Sequence, residues 1–309
     1  YWTDFLFQGM FAATAGTIIS GAVAGRIKIN AFMLIVFLYV LIVYPIVGSW
    51  QWGGGFLSTL TDEVGFYDFA GSTLVHSVGG WGGLVIIYLL GARKGKFDSS
   101  GKAVAIPGSN IPLSAAGVLI LWLGWFGFNG GSVLSADPAN TSLVLVTTCL
   151  AAAAGGLGAT FLSTLMYKNL DITMFMNGVL GGLVGITAGA DQMGPTSAII
   201  IGAIGGAVVV LGVALLDKCK LDDPVGAIPV HLFAGIWGTL AVGLFGASAG
   251  FDQFMVQLAS TGIVGVFCVI GAAIIALIVK SIMGLRVSDE EEEIGLDISE
   301  HGTKAYFSS

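Results

Sequence analysis

Residues 196–217 read TSAIIIGAIGGAVVVLGVALLD, an apolar run with no charged side chain before its last residue. A helix needs about 20 apolar residues to cross the roughly 30 Å hydrocarbon core of a bilayer, so this run predicts a membrane-spanning helix. Similar runs recur along the chain, in which 55% of the 309 residues are hydrophobic and only 10% are charged. A soluble domain usually carries about 25% charged residues. The composition therefore excludes an ordinary soluble globular protein.

Hydropathy predicts an all-α polytopic membrane protein with nine transmembrane helices and no inserted soluble domain. The predicted spans cover roughly residues 5–25, 30–50, 68–92, 111–131, 141–167, 172–190, 196–217, 224–248 and 254–283. We expect a membrane domain at 1–284 and a cytoplasmic regulatory tail at 285–309. The tail contains the acidic run 289–293, which we expect to be solvated and partly disordered.

The basic residues divide the loops into two faces when the nine spans alternate in direction. All of them fall on one side, which we name the basic face: Arg26, Lys28, Arg93, Lys94, Lys96, Lys102, Lys168, Lys218, Lys220, Lys280, Arg286 and Lys304. The loops of the opposite, acidic face carry Asp62, Glu63, Asp137, Asp191 and Asp252. The positive-inside rule makes the basic face cytoplasmic. We therefore expect a plasma (inner) membrane protein whose chain starts outside and whose tail is cytoplasmic.

Two stretches of the sequence resemble each other, and each contains a histidine. Asp68-FAGSTLV-His76-SVGGWGG aligns without gaps with Asp223-PVGAIPV-His231-LFAGIWG. The shared positions are Asp68/Asp223, Gly71/Gly226, Val75/Val230, His76/His231, Gly80/Gly235 and Gly83/Gly238. The two copies lie five predicted spans apart, so they cross the membrane in opposite directions. Inverted repeats of this kind are typical of transporters, whose sites lie near the bilayer midplane between the repeats.

The depth of the two histidines supports a functional pair. His76 lies eight residues into its predicted span, about 12 Å at 1.5 Å per residue, and His231 lies equally deep from the other face. One such histidine is often a packed core residue, but ionisable groups within spans usually line a pathway, and two symmetric ones favour that interpretation. A metal site needs three or four ligands and a serine-type triad needs a neighbouring carboxylate, and the sequence suggests neither. We expect no metal, no cofactor and no enzyme activity.

Aromatic residues collect at the ends of spans on the acidic face. Phe7 and Phe11 lie one helical turn apart, Trp52 precedes three glycines, and residues 125–132 read WFGFNGGS. Such aromatics usually form an interfacial anchoring belt. Aromatic faces beside a hydroxyl, with no basic residue near, also describe a cation-π site. The sequence leaves both interpretations open.

Together these segments resemble the ammonium transporter family (Amt/Mep/Rh) over nearly the whole chain. The resemblance rests on five stretches: FQGMF at 7–11, WGGG at 52–55, Asp68 through His76, GWFGFN at 124–129, and Asp222-Asp223-Pro224 through His231. Trp52 points to the Amt/Mep branch, because the pattern of the Rh branch lacks that tryptophan.

The resemblance implies a role for each matched residue. It implies that Phe11, Trp52 and Ser132, with Phe7 beside them, form an outer ammonium recruitment site. Phe7 or Phe11 stacked with Phe128 would form a gate. His76 and His231 would be the twin histidines of the pore. Asp68 would hold the vestibule together without touching the cation, and its repeat mate Asp223 would be structural.

The resemblance also implies the architecture and the partners. Family members usually have eleven spans, arranged as two inverted five-helix repeats and a final helix. This chain starts at what would be the third span, so we interpret its first repeat as truncated. The implied partners are ammonium or ammonia (with methylammonium as an analogue), two further copies in a homotrimer, and a PII-type signal protein at the tail. The lipid bilayer surrounds the protein, and we expect no nucleic-acid partner. Ser299 lies where some members carry a phosphorylatable threonine, although an unmodified tail is an equal alternative.

The predicted function is therefore ammonium transport. We expect NH4+ to bind at the outer aromatic site, to lose its proton and to cross as NH3 past the histidines, with or without the proton. A sensor of the same family and a gas or water channel are the alternatives. A fused signalling domain would favour the sensor, and a channel without ammonium recognition would not need Trp52, Ser132 and Asp68.

Overall fold

The computed structural model describes residues 1–61 and 64–306, so Asp62 and Glu63 of the acidic face lie outside the described residues. The membrane-spanning part of the described residues is built from nine apolar helices. They are α1 (Trp2–Val23), α2 (Ile29–Ser49), α3 (Ser72–Leu90), α4 (Ile111–Gly131), α5 (Pro138–Tyr167), α6 (Ile172–Thr187), α7 (Pro195–Lys218), α8 (Ile228–Phe245) and α9 (Phe251–Met283). Eight are long and apolar enough to cross a membrane, and α6 is a shorter apolar helix of 16 residues. The predicted all-α polytopic fold is confirmed.

Local sequence explains where several helices begin. Asn110 accepts a hydrogen bond from Leu113 N at 2.8 Å and so caps α4. Asp137 caps α5 through Ala139 N at 3.0 Å, and Asp171 caps α6 through Thr173 N at 2.8 Å. Side-chain oxygens at these positions satisfy backbone N–H groups that have no partner inside the helix. These polar caps mark where the apolar runs leave the loops.

The two repeat helices run in opposite directions, as predicted. Arg93, just beyond the C-terminal end of α3, donates to Asp222, which lies just before α8. The end of α3 and the start of α8 therefore share the basic face. Arg26, after α1, joins the same contact by donating to the Asp222 carbonyl oxygen at 2.6 Å.

The repeats pack through the glycines that they share. A Cβ atom on Gly80 would lie 2.6 Å from Leu232 Cβ, next to His231. A Cβ atom on Gly235, the repeat mate of Gly80, would lie 2.4 Å from the Ser72 carbonyl oxygen. Each repeat helix therefore needs its glycine because the opposite repeat lies directly against its backbone.

Helices α5, α6 and α7 pack by the same device. A Cβ atom on Gly206 would lie 2.0 Å from the Gly155 carbonyl oxygen, and one on Gly182 would lie 2.1 Å from the Ala151 carbonyl oxygen. Backbones this close exchange dispersion contacts without large side chains between them. The largest buried cluster lies elsewhere and joins α1, α2, α3 and α9.

The tail differs from its predicted state. The acidic run forms a short helix, α10 (Asp289–Ile294), which starts with a capping box between Ser288 and Glu291 and is followed by α11 (Leu296–Ser299). Lys94 pairs with Glu293 at 2.7 Å. The expectation of partial disorder is wrong for this run, because its capped helix pairs with Lys94, from a distant part of the sequence, and with the nearby Arg286.

Candidate functional site

Each histidine lies in a widened helical turn near the start of its repeat helix. Residues Ser72–Ser77 of α3 and Ile228–Phe233 of α8 form π-helical turns. Such turns are rare and occur frequently at functional sites. The helices begin four residues later than the predicted starts at 68 and 224, because Gly71 and Gly226 adopt left-handed conformations with φ of 110° and 74°. The depth calculation from Asp68 therefore counted four residues as helix that are not helical.

The two imidazoles meet. His76 Nδ1 and His231 Nδ1 lie 3.1 Å apart, and the rings are nearly parallel at 16° with centroids separated by 5.2 Å. His76 is 1% exposed, and its Nε2 is buried without a hydrogen-bond partner among the described residues. In this contact one Nδ1 donates its proton and the other Nδ1 accepts it. The two Nδ1 atoms therefore cannot both carry a proton, and the two rings cannot both be positively charged.

A tryptophan that received no predicted role covers one of the histidines. Trp125 of α4 stacks on His76 with centroids 5.0 Å apart and rings at 13°. Its Nε1 donates to Thr187 Oγ1 at 2.9 Å, which fixes the indole. The quoted GWFGFN motif contained Trp125, but only the packing of α4 against α6 and α3 brings it to the histidine.

A cavity of about 340 Å³ reaches both histidines. Its lining is mostly apolar and comes from α1, α3, α4, α6, α8 and the segment before α8: Thr14, Thr17, Ile18, Gly21, His76, Leu121, Trp125, Asn177, Leu180, Val225, Gly226, Ala227, Val230 and His231. Among these described residues no side chain is a Lys, Arg, Asp or Glu. The cavity can therefore hold a small neutral molecule without desolvating a formal charge of the protein.

The predicted aromatic residues form a continuous row toward the acidic face. Phe11 stacks on Phe128 with centroids 4.0 Å apart, and Phe128 lies 5.4 Å from the His76 ring. Phe7 lies 4.5 Å and Trp52 lies 5.8 Å from Phe11. Phe11 is only 2% exposed, so its ring is buried within this row.

Ser132 and Trp52 are held by backbone groups. Ser132 Oγ donates to the Phe128 carbonyl oxygen at 2.8 Å, and its neighbour Gly131 packs against Phe7. Trp52 Nε1 donates to the Asp68 carbonyl oxygen at 2.8 Å. The described contacts do not include a direct one between Ser132 and Trp52.

The repeat aspartates organise the turns that carry the histidines. The Asp68 carboxylate is fully buried and accepts from four backbone N–H groups at 2.8–2.9 Å: those of Gly71, Ser72, Thr73 and Leu74. Asp223 accepts from two, Ile228 N at 2.7 Å and Val225 N at 3.4 Å. With these bonds made, Asp68 has no free lone pair for a second ligand.

A charged cluster fixes the basic end of the site. Burial would raise the pKa of Asp222, but hydrogen bonds from the Arg93 side chain and backbone, with the charges of Arg93 and Arg26, outweigh it and hold the pKa below its usual value. Arg26 is fully buried, and its guanidinium donates to the carbonyl oxygens of Ala22, Ala24, Gly91 and Asp222. The cluster ties the ends of α1 and α3 to the segment that leads to His231.

Comparison with known proteins identifies the fold and its relatives. The model of the Ammonium Transporter Family matches residues 2–306. The chain belongs to this family. Its resemblance to the ammonium transporters is thus confirmed, and the family consists of transporters and channels rather than enzymes.

Two curated relatives give the extent of the match. A putative ammonium transporter of Synechocystis is 44% identical over 305 residues, covering 97% of this chain and 68% of that protein. An ammonium transporter of Archaeoglobus fulgidus is 42% identical over 324 residues, covering 97% of this chain and 69% of that protein. This chain therefore spans about two thirds of the length of these relatives.

Solved structures of two family members superpose closely. A structure titled as a sensor Amt protein has a TM-score of 0.90 at 35% identity and covers 97% of this chain and 76% of its own. Mep2 of Candida albicans has a TM-score of 0.84 at 28% identity and covers 96% and 69%. These values place the chain in the Amt/Mep fold as a multi-pass membrane protein of ammonium transport.

Proposed function

We propose that this family member carries ammonium nitrogen across the membrane as NH3, past His76 and His231. The observation that carries the proposal is the 3.1 Å contact between the two Nδ1 atoms beside an apolar cavity of about 340 Å³. The rings present nitrogen atoms along a passage that otherwise offers few polar partners. The buried Nε2 of His76 is free among the described residues to exchange a hydrogen bond with a passing ammonia.

Selectivity follows from desolvation. Moving a charged group to the bilayer centre costs about 3 kcal/mol or more, and potassium has no way to lose its charge. Ammonium can release a proton and continue as a neutral molecule that donates and accepts hydrogen bonds. An apolar path with two shared-proton imidazoles therefore admits NH3 and rejects metal cations of similar size.

Entry is proposed to occur at the aromatic row. Phe11, Trp52 and Ser132, with Phe7 beside them, would bind NH4+ through ring faces and the hydroxyl, where each cation-π contact contributes about 0.5–2 kcal/mol. The Phe11–Phe128 stack would be the gate that separates this site from the histidines. Asp68 and Asp223 would shape the path, because their lone pairs are directed at backbone N–H groups.

Replacing both histidines by leucine tests the proposal. The variant His76→Leu with His231→Leu should stay folded, since leucine fills the space, while methylammonium flux into proteoliposomes falls at least about tenfold. The third histidine, His301, lies in the tail and provides a matched control, in which leucine should leave the flux unchanged. Unchanged flux in the double variant, with a normal melting temperature, would refute the role of the pair.

A sensor is the second candidate, because one structure with a TM-score of 0.90 is titled a sensor Amt protein. A sensor would bind methylammonium in the same assay without sustained flux. Saturable binding with a flux no greater than that of empty liposomes would favour the sensor over the transporter.

Domains, orientation and partners complete the proposal. We propose a membrane domain at 1–284 in the plasma membrane, with the acidic face outside, and a cytoplasmic regulatory tail at 285–309. A fluorescent protein fused after the tail should fold and emit in the cytoplasm, and a dark fusion of normal abundance would contradict this orientation.

A homotrimer should appear at three times the chain mass by light scattering in detergent.

A PII-type protein is proposed to dock on the basic face near the tail. Ser299 Oγ donates to the Gly295 carbonyl oxygen at 3.1 Å, so a phosphate there would have to break this contact. Co-purification with a PII-type protein should weaken for Ser299→Asp. Equal recovery of the two forms would remove Ser299 from the interface.

A further inference from the structure

A second cavity, of about 610 Å³, lies on the acidic face apart from the histidine path. It is enclosed by the loop after α2, the α6–α7 loop, the α8–α9 loop and the first turn of α9. Its polar lining includes Gln51, Tyr67, Asp191, Gln192 and Gln253. None of the aromatic row (Phe7, Phe11, Trp52 and Phe128) lines it.

Two buried acceptor atoms of the lining have no donor among the described residues. Tyr67 Oη donates to Asp191 Oδ2, but Asp191 Oδ1 is buried and has no partner among the described residues. Gln51 Oε1 is also buried without a hydrogen-bond partner among the described residues. The Gln253 Nε2 group is already used, because it donates to the carbonyl oxygen of Gly65 and to Gln257 Oε1. A carboxylate oxygen can only accept, so Asp191 lacks a donor whichever way the amides are turned.

The charge of Asp191 also lacks a counter-charge. None of the described residues that line the cavity is a Lys, Arg or His. Burial raises the pKa of Asp191 and that of Tyr67, while their hydrogen bond opposes the effect at the carboxyl and adds to it at the phenol. The tyrosine therefore keeps its proton and stabilises only one carboxylate oxygen. A buried carboxylate of this kind is stabilised by a cation that enters the site.

The site is held rigidly. Gln257, which is fully buried, accepts from Tyr67 N at 2.9 Å and donates to the Tyr67 carbonyl oxygen at 2.6 Å. Gln192 accepts from Ala247 N at 2.7 Å and so ties two of the enclosing loops together. The free-energy cost of ordering these loops when a ligand binds would therefore be small.

We propose that this cavity is a second cation site, in which Asp191 Oδ1 and Gln51 bind a small monovalent cation with N–H donors, ammonium or a primary alkylammonium. Calcium takes six to eight oxygen ligands, often from several carboxylates, whereas the described lining supplies one carboxylate. An ammonium group supplies the donors that the acceptors lack. The inference goes beyond the transport proposal, because it needs neither the histidines nor Trp52.

Equilibrium binding of radiolabelled methylammonium to the full chain in detergent tests the site. In a Trp52→Leu background, which weakens the proposed recruitment site, saturable binding should remain. Adding Asp191→Asn should weaken that binding at least about tenfold, because the charge is lost while the shape is kept. Asp137→Asn is the matched control on the same face, where asparagine still caps α5, and it should change the binding less than about twofold.

Each other result decides against the proposal. If Trp52→Leu shows no saturable binding, the second site is overturned. If wild type still binds in that case, the binding belongs to the recruitment site. Wild-type affinity in the Asp191→Asn variant would also overturn the second site. If Asp191→Asn fails to give a folded protein by its melting curve, Gln51→Leu decides instead: binding should weaken about threefold, and no change would overturn the site.

Competition identifies the cation class. Ammonium chloride should displace methylammonium from the Trp52→Leu protein, whereas choline chloride, which has no N–H donor, should not at equal ionic strength. Displacement by choline as effective as that by ammonium would overturn the need for N–H donors. Displacement by calcium chloride at lower concentration than by ammonium chloride would assign the cavity to a divalent metal.

Discussion

At the scale of single residues, Asp222 shows how the protein keeps a charge inside its basic end. Its side chain is fully buried, and Arg93 binds both carboxylate oxygens, with Nε at 2.8 Å and Nη2 at 3.0 Å. The Arg93 backbone N–H adds a third bond at 2.8 Å. A buried carboxylate is tolerated only with such partners, and removing one member of a buried pair costs about 3–5 kcal/mol.

Stability should therefore depend on pH through Asp222. Its folded-state pKa lies below the usual 3.8, so its stabilisation is present above that value and is lost as the pH falls through the folded pKa. Asp222→Asn should lower the melting temperature in detergent strongly at about pH 7, and the gap to wild type should narrow as the pH falls toward about 3. Asp252→Asn, an exposed change in the first turn of α9, is the control and should show no gap at either pH. A gap for Asp222→Asn that stays constant over this range would contradict the assignment.

At the scale of elements, the two π-helical turns are the structural core of the site. A π-helical turn uses i→i+5 hydrogen bonds, and such turns inside α-helices occur frequently at functional sites. The Val78 carbonyl oxygen, which follows the turn of α3, accepts from Tyr39 Oη at 2.7 Å. Tyr39 itself begins a third π-helical turn, Tyr39–Val43 in α2. The histidine turn of α3 is thus supported by its aspartate on one side and by α2 on the other.

The repeat aspartates give a comparison within one chain. In Asp68→Asn, the new NH2 group replaces an oxygen that accepts two of the four backbone hydrogen bonds. In Asp223→Asn, it replaces an oxygen that accepts only one of two. Bonds to a charged acceptor contribute about 1.5–3 kcal/mol each, so Asp68→Asn should lower the free energy of unfolding by more than Asp223→Asn. Melting curves and methylammonium flux should both show a larger loss for Asp68→Asn than for Asp223→Asn. Equal losses for the two variants would show that the bonds counted here do not control the turns.

The same turns show what the sequence could predict and what it could not. Hydropathy located the long helices because burial in lipid needs apolar runs, and the gapless repeat paired His76 with His231 because identical spacing places them at mirrored depths. Hydropathy could not locate the helix starts at Ser72 and Ile228, because the apolar residues before them form bends and turns that end in the left-handed Gly71 and near the left-handed Gly226. It also gave no sign of the Trp125 contact, which depends on how α4 packs in three dimensions.

At the scale of the whole molecule, the tail is bound to the basic face and not merely attached to it. Leu285 and Val287 are each 4% exposed, and Val287 N donates to the Arg26 carbonyl oxygen at 3.1 Å. Further along, both Glu300 carboxylate oxygens accept from Ile29 N at the start of α2, at 3.2–3.3 Å. The tail therefore contacts the loop between α1 and α2 near both of its ends, and it contacts the end of α3 through Lys94 and Arg286.

Arg286 is the residue on which this docking depends most. Its guanidinium donates to the carbonyl oxygens of Leu90 and Ala92 at 3.1 and 2.7 Å and to Glu292 at 2.6 Å, so it connects α10 to the end of α3. Arg286→Gln should leave the melting temperature of the membrane domain nearly unchanged, because these contacts reach only the last residue of α3 and the loop after it. A protease that cuts after glutamate should, however, cleave the tail at least about threefold faster, since cleavage follows the population of the released state.

Lys280→Gln removes a nearby charge from the exposed end of α9 without touching α10 and should be cleaved at the wild-type rate. Equal cleavage of the two variants would mean that the short helix stays in place without the guanidinium, and that the buried Leu285 and Val287 and the contacts of Lys94 and Glu300 are enough to hold the tail.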